Sequence, residues 1–313
     1  MIKNKISRRD FARLSAFTGL ALGAGYPLWA SREEETDHLC ILHTNDTHSR
    51  IDPYPDNDPN YPGMGGYALR AALVNKIRKE TPHVLLLDAG DIFQGTPYFN
   101  VYGGEPELKL MTKMGYDAAT MGNHEFDNGL QGFIDVLPHA GFPFVISNYD
   151  FSLTPLHEKT LPYKIFRKGN LRIGVYGLGI ELEGLVSANL YGNTKYIDPI
   201  HVARRMEMLL KEEQGCDLII CLSHLGYQYE TNKVSDVKVA LSTRYTDIII
   251  GGHTHSLLDP LVTIQNTTGK NVHIGQTGYA GVRLGRIDVY VNKKQEEIFV
   301  EFNTTKICKN QVF

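Results

Sequence analysis

Five short blocks of this 313-residue chain carry side chains able to bind metal ions: Asp46-Thr47-His48, Gly90-Asp91, Gly122-Asn123-His124-Glu125, Ser223-His224 and Gly251-Gly252-His253-Thr254-His255. From them, Asp46, His48, Asp91, Asn123, His224, His253 and His255 make a set of two carboxylates, one amide and four imidazoles. These nitrogen and oxygen donors suit Zn, Mn, Fe or a similar divalent ion, and the lack of thiolate argues against a structural zinc knot. A carboxylate can bridge two ions, so a shared Asp91 gives each of two metals four protein groups. Room is then left for a bridging hydroxide and a substrate oxygen, as hydrolysis at a two-metal site requires. Singly, an Asp-x-His or His-x-His is more often a capped turn or a satisfied core pair than a ligand set. Five such blocks, each directly after a strand candidate, reverse that balance.

The elements that position the blocks alternate along the chain. Short apolar runs at Leu39–His43, His83–Leu87, Ala118–Met121, Phe144–Ser147, Tyr163–Phe166, Arg172–Tyr176, Asp217–Leu222 and Asp247–Ile250 read as strands. Between them, Gly66–Lys79, Pro106–Met114, Gly129–His139 and Pro199–Glu213 place apolar residues three and four apart, the spacing of helices packed on a sheet. The order predicts an α/β protein, in which the carboxyl ends of strands line one crevice and bring distant residues together. Near the C-terminus Val272–Ile274, Leu284–Val291 and Glu297–Asn303 read as consecutive strands, so a mixed or second sheet is expected. The conspicuous loop is Asp52–Gly65, rich in Pro, Asn, Asp, Gly and Tyr. Its Asp56 and Asp58 read as a solvated turn, since the ligand spacing and closing Glu of a calcium loop are absent. Tyr279, within Gly278-Tyr279-Ala280-Gly281, either borders the cleft or packs in a turn. His43 reads as a core or supporting residue.

Taken together, the blocks resemble those of the calcineurin-like metallophosphoesterases. Gly122-Asn123-His124-Glu125-Phe126-Asp127 resembles in particular the branch containing 5′-nucleotidases, 2′,3′-cyclic-nucleotide phosphodiesterases and UDP-sugar hydrolases. The resemblance runs from about Leu39 to Val291 and implies a four-layer α/β/β/α sandwich with mixed sheets. It assigns Asp46, His48 and His255 to one metal, Asn123, His224 and His253 to the other, and Asp91 as bridge. His124, oriented by Asp127, is then the group that stabilises transferred charge or protonates the leaving oxygen. An imidazole held by a carboxylate has the tautomer and pKa suited to that work. The implied reaction is phosphoester hydrolysis by in-line attack of a metal-bridging hydroxide, with nucleotides as substrates and Zn or Mn, or else Fe or Co, as the two ions. Cyclic-nucleotide or UDP-sugar hydrolysis, a thiohydrolase activity and a non-catalytic metal-dependent binding role are the alternatives. His255 stands where many nucleotidases carry an amide residue and the thiohydrolase branch has His.

Composition sets the remaining bounds. With 42% hydrophobic and 21% charged residues, disordered and fibrous classes are excluded. Residues 1–30 join a basic start, with Ser7-Arg8-Arg9-Asp10-Phe11, to an apolar stretch from Leu14 to Leu28 too short to span a bilayer. This resembles a twin-arginine signal peptide, so an exported, periplasmic protein with no stable membrane span after signal removal is expected. Residues 31–38 read as a linker and 39–313 as the catalytic domain. Losing residues 1–30 would take the formal net charge from −3 to −7, which disfavours general nucleic-acid binding. Cys40, Cys216, Cys221 and Cys308 read as mostly buried thiols, with one disulfide open. The separate C-terminal nucleotide-specificity domain of two-domain family members is read as absent, which leaves open a separate specificity subunit over the cleft.

Overall fold

The structure, a computed structural model, describes residues 36–294 and 297–312; residues 1–30 and the start of the linker lie outside them. Alternation along β1 (Asp37–Thr44) sets the layering: Leu39 and Ile41 point to one side of the sheet, Cys40 and Leu42 to the other, and all four are fully buried. β1 pairs in parallel with β2 (Val84–Asp88) and antiparallel with β12 (Arg283–Asn292). The first sheet is completed by β3 (Ala118–Ala119) beside β2 and β13 (Glu297–Lys306) beside β12, in the order β13-β12-β1-β2-β3.

The second sheet runs β10-β11-β9-β8-β6-β5. Its strands are β5 (Tyr163–Lys168), β6 (Leu171–Leu178), β8 (Leu218–Ser223), β9 (Ile248–Gly251), β10 (Val262–Gln265) and β11 (Asn271–Gly275). β6, β8, β9 and β11 are mutually parallel, with antiparallel strands at both edges. A small ribbon pairs β4 (Tyr149–Asp150) with β7 (Lys195–Tyr196).

Three apolar cores separate four layers. Leu39, Ile41, Leu85 and Leu87 of the first sheet meet Ile173, Val175, Ile220 and Ile250 of the second. The other face of the first sheet packs on α1 (Tyr67–Glu80), through Leu73, Val74 and Ile77, and on α3 (Glu105–Met114), through Leu108 and Met111. α2 (Pro97–Tyr102) and α4 (Gly129–Val136) join this layer through Phe99 and Phe133. The outer face of the second sheet takes Val202, Ala203 and Met206 of α6 (Pro199–Met208) and Val239 and Ala240 of α7 (Asp236–Ser242). A short α5 (Ala188–Tyr191) lies between β6 and β7 in the chain. Each buried Leu, Ile or Val contributes about 1.5–3 kcal/mol, which is why the alternation fixes the arrangement. The result is the expected α/β/β/α sandwich with mixed sheets.

Some elements depart from expectation. Phe144–Ser147 forms only isolated bridges, because its backbone changes partner: Val145 N donates to Ala119 O (2.8 Å) in the first sheet and Ser147 N to Gly177 O (2.9 Å) in the second. A segment that crosses between sheets cannot build a ladder with either. The helix expected over Pro199–Glu213 ends at Met208 and continues as a wider turn, Leu209–Glu213, with Gln214 N donating to Leu209 O. β10, α2 and α7 had no sequence signal strong enough to be read. All four cysteines are free thiols, so the possible disulfide is not formed.

Candidate metal centre

Each candidate block follows its strand as anticipated: Asp46 and His48 follow β1, Asp91 follows β2, Asn123 follows β3, His224 follows β8, and His253 and His255 follow β9. The structure brings all of them together. Asp46, His48 and His255 offer donor atoms within 4.8 Å of one another, and so do Asp91, His224 and His253. Asp91 also groups with His48 and His124, so it stands between the two sets. Asn123 joins the second set, its Oδ1 lying 2.9 Å from His253 Nδ1. Asp46, Asp91, Asn123 and His224 are buried, whereas His255 is 41% exposed and forms the open side.

Strained backbone aims these side chains. Asp46, His48, Asp91, His253 and His255 all have positive φ, between 47° and 71°. Such conformations cost non-glycine residues about 1–3 kcal/mol each and gather at functional sites. Gly122 permits the closest approach, since a Cβ there would lie 2.2 Å from Asp91 Oδ1.

The donor chemistry fits divalent cations. His224 Nδ1 lies 2.7 Å from the Ala89 carbonyl and His48 Nδ1 lies 3.3 Å from the Phe93 carbonyl, which places a proton on each Nδ1 and turns each Nε2 toward the centre. His48 Nε2 then faces His255 Nε2 at 3.1 Å, and Asp46 Oδ1 lies 3.4 Å from His255 Nε2. His224 Nε2 lies 3.0 Å from Asp91 Oδ2. Burial would lower the His224 pKa, but the charges of Asp91 and Asp46 push it up to about 10. The centre therefore calls for positive charge. Burial lowers His48, and burial with the neighbouring His224 lowers His253 to about 4, so both stay neutral as ligation requires.

His124 touches the centre and differs from the other imidazoles in having a carboxylate outside the ligand sets as its ring partner. Its Nδ1 lies 2.8 Å from Asp127 Oδ2, and its backbone N–H donates to Asp91 Oδ1 at 2.9 Å. Burial pulls its pKa down, but the Asp127 hydrogen bond and the Asp91 charge outweigh it and the value is raised. With Nδ1 engaged, the other ring nitrogen is left for proton transfer.

Three supporting residues have roles that the sequence does not assign. Glu125 is buried and accepts backbone N–H groups from Asp91 (2.9 Å), Ile92 (2.8 Å), Phe93 (3.4 Å) and Gly122 (2.5 Å), tying two ligand loops together. Asn45 donates to Asp46 Oδ2 (2.6 Å) and Gly278 O (2.7 Å) and accepts from Thr277 N (2.8 Å). Gln276 donates to Gly252 O (2.7 Å) and accepts from Thr254 Oγ1 and Ser256 N, fixing the His253–His255 turn. Glu125 closes one ligand block and Asn45 directly precedes another, the one sequence signal that points to them. His43 is core: it is fully buried, stacks on Phe302, and burial pushes its pKa down to about 3.

Residues 40–257 match the family model described as calcineurin-like phosphoesterase. The chain belongs to the calcineurin-like phosphoesterase family. Within that family it is 37% identical to the 5′-nucleotidase of Bos taurus over 275 residues, which cover 85% of this chain and 45% of the relative. The solved 5′-nucleotidase precursor from Thermus thermophilus superposes with a TM-score of 0.80 at 30% identity, over 88% of this chain and 55% of that one. The calcineurin-like phosphoesterase YfkN from Bacillus subtilis superposes at 0.72 and 27% identity, covering 88% of this chain and 92% of that chain. The chain spans about half the length of the curated relatives it matches.

Proposed function

We propose that the chain hydrolyses phosphoesters with two divalent cations, held by Asp46, His48 and His255 on one side and Asn123, His224 and His253 on the other, with Asp91 shared. The observation that carries this reading is the position of Asp91, whose carboxylate belongs to groups on both sides while the His124–Asp127 pair stands next to it. When bound, paired cations would supply an activated water and neutralise phosphoryl charge. The protein's part is to fix the donors rigidly before substrate arrives, through Asn45, Glu125 and Gln276, and to hold a proton on His124 for the leaving oxygen.

Nucleotides are the proposed substrates, supported by the 5′-nucleotidase names of relatives at 30–37% identity. Residues 39–313 are proposed as the catalytic domain and residues 1–30 as an export signal to the periplasm. Among the described residues no helix is long and apolar enough to cross a membrane. Purified protein loaded with Mn or Zn is assayed on 4-nitrophenyl phosphate, its bis ester and nucleoside 5′-monophosphates, with and without any polypeptide that copurifies. Monoester turnover with preference for nucleotides supports the reading. Absence of hydrolysis of every ester at full metal occupancy refutes it, and activity gained only with a copurifying chain identifies a specificity subunit.

A further inference from the structure

Beside the metal centre, two distant segments build one aromatic array. Tyr279 lies almost parallel to the His255 ring, with centroids 5.1 Å apart and planes 10° apart. Tyr61 meets Tyr279 edge-on at 5.9 Å, Tyr54 lies 5.3 Å from Tyr61, and the Arg50 guanidinium sits 4.1 Å from the Tyr54 centroid. The array starts on a residue of the Asp46/His48/His255 group and ends two residues past His48. All three tyrosines and Arg50 are partly exposed.

The array is held in place before any ligand arrives. The turn that carries Tyr279 is fixed to the ligand turn, with Ala280 N donating to Asp46 O (2.6 Å) and Asn45 Nδ2 to Gly278 O (2.7 Å). Ala280 takes φ +57° to do so, a left-handed conformation that non-glycine residues rarely adopt. The loop bearing Tyr54 and Tyr61 is closed on itself, with Tyr54 N donating to Met64 O (2.8 Å) and Tyr61 N to Asp58 Oδ1 (2.8 Å), and is anchored just past β13 by Gly65 N donating to Ile307 O (2.8 Å). Asp58 therefore serves the turn, as its sequence suggested. These hydrogen bonds hold three partly exposed rings beside the open side of the metal centre, a preorganised apolar surface next to the polar groups that would take a phosphate.

We propose that Tyr54, Tyr61 and Tyr279, with Arg50 at the outer end, form the subsite for the planar base of the substrate's leaving group. This rests on the proposed reaction: a phosphoester held at Asp46, His48 and His255 has the array as its adjoining wall. Aromatic faces accept any purine or pyrimidine and give little to an aliphatic alcohol, and the Arg50 cation stacked on Tyr54 favours an electron-rich ring. Base selectivity then resides on the same domain as the chemistry.

The test is binding, not turnover. Metal-loaded protein is titrated calorimetrically with non-hydrolysable phosphonate analogues of adenosine 5′-monophosphate and of glycerol phosphate. The adenosine analogue is expected to bind wild type at least about tenfold more tightly, and Tyr54→Ala or Tyr61→Ala to cut that ratio about 5- to 10-fold each. Tyr61→Phe, which keeps the ring, should keep the ratio, and far-ultraviolet circular dichroism checks that the variants fold. Equal binding of the two analogues by wild type overturns the proposal, as does a ratio that survives the Tyr54→Ala/Tyr61→Ala double substitution. Discrimination between the analogues by a protein that hydrolyses no phosphoester would refute the proposed reaction and still support the subsite.

Discussion

Replacing Glu125 by Gln tests whether the centre is held from behind as the structure indicates. Oε2 accepts the N–H groups of Asp91 (2.9 Å) and Gly122 (2.5 Å), and Oε1 those of Ile92 (2.8 Å) and Phe93 (3.4 Å). A Gln amide keeps one acceptor oxygen. Whichever way it turns, the two buried N–H donors that shared the lost oxygen are left facing an NH₂ group. Each orphaned donor costs about 1–3 kcal/mol, so Glu125→Gln should lose about 2–6 kcal/mol. At about 2–4 °C per kcal/mol for a domain of this size, the unfolding midpoint falls by roughly 4–24 °C. Thermal unfolding is followed by circular dichroism in excess chelator, so that the loss is read without metal linkage. Metal affinity, measured separately, should also weaken, because Asp91 and Asn123 flank the segments that Glu125 ties. An unchanged midpoint in chelator, with metal affinity within twofold of wild type, would show that Glu125 does not hold the ligand loops.

Other substitutions separate metal binding, proton transfer and packing. His124→Ala should lower kcat by about 10²- to 10⁴-fold while metal content stays at the wild-type level, whereas Asp91→Asn should lose metal as well as activity; elemental analysis showing two ions retained in Asp91→Asn contradicts the shared-carboxylate assignment. A Cβ on Gly285 would lie 2.1 Å from His43 Nε2 in a fully buried setting, so Gly285→Ala should cost about 1–3 kcal/mol in urea unfolding. His43→Ala in the same chain should recover part of that loss, and strict additivity of the two changes would show that the contact is not the cause. For pH, burial raises the Asp288 carboxyl, but hydrogen bonds from His38 (2.8 Å) and Arg286 (2.6 and 3.0 Å) outweigh it and its pKa is lowered in the fold. A lowered folded-state pKa gives stability that is present above the unfolded value of about 3.9 and lost as pH falls through the folded one. In chelator, wild type should therefore lose stability below about pH 4 more steeply than Asp288→Asn, and equal slopes would contradict this.

The parts of the fold legible in the sequence were those governed by local pattern. Val84–Asp88 and Leu218–Ser223 are continuous apolar runs because both sheet faces are covered, and α1 shows its buried face at helical spacing. Phe144–Ser147 has the same composition but divides its hydrogen bonds between two sheets, which no local pattern reports. At the site, chemically distinctive residues after strand ends could be picked out because strand ends converge in this architecture. What supports them could not: Gln276 reaches back to Gly252 across 24 positions and Asn45 spans 232 to Thr277, contacts that exist only once the chain is folded. Tyr279 was ambiguous for the same reason, since a turn aromatic acquires a meaning only from the His255 ring beneath it.

Anomalous diffraction from crystals grown with Mn or Zn would locate the cations themselves. Two peaks are expected about 3.5–4 Å apart on either side of the Asp91 carboxylate, one near Asp46, His48 and His255 and the other near Asn123, His224 and His253. A single peak, or metal that leaves Asp91 uncoordinated at full occupancy, would contradict the shared-carboxylate assignment.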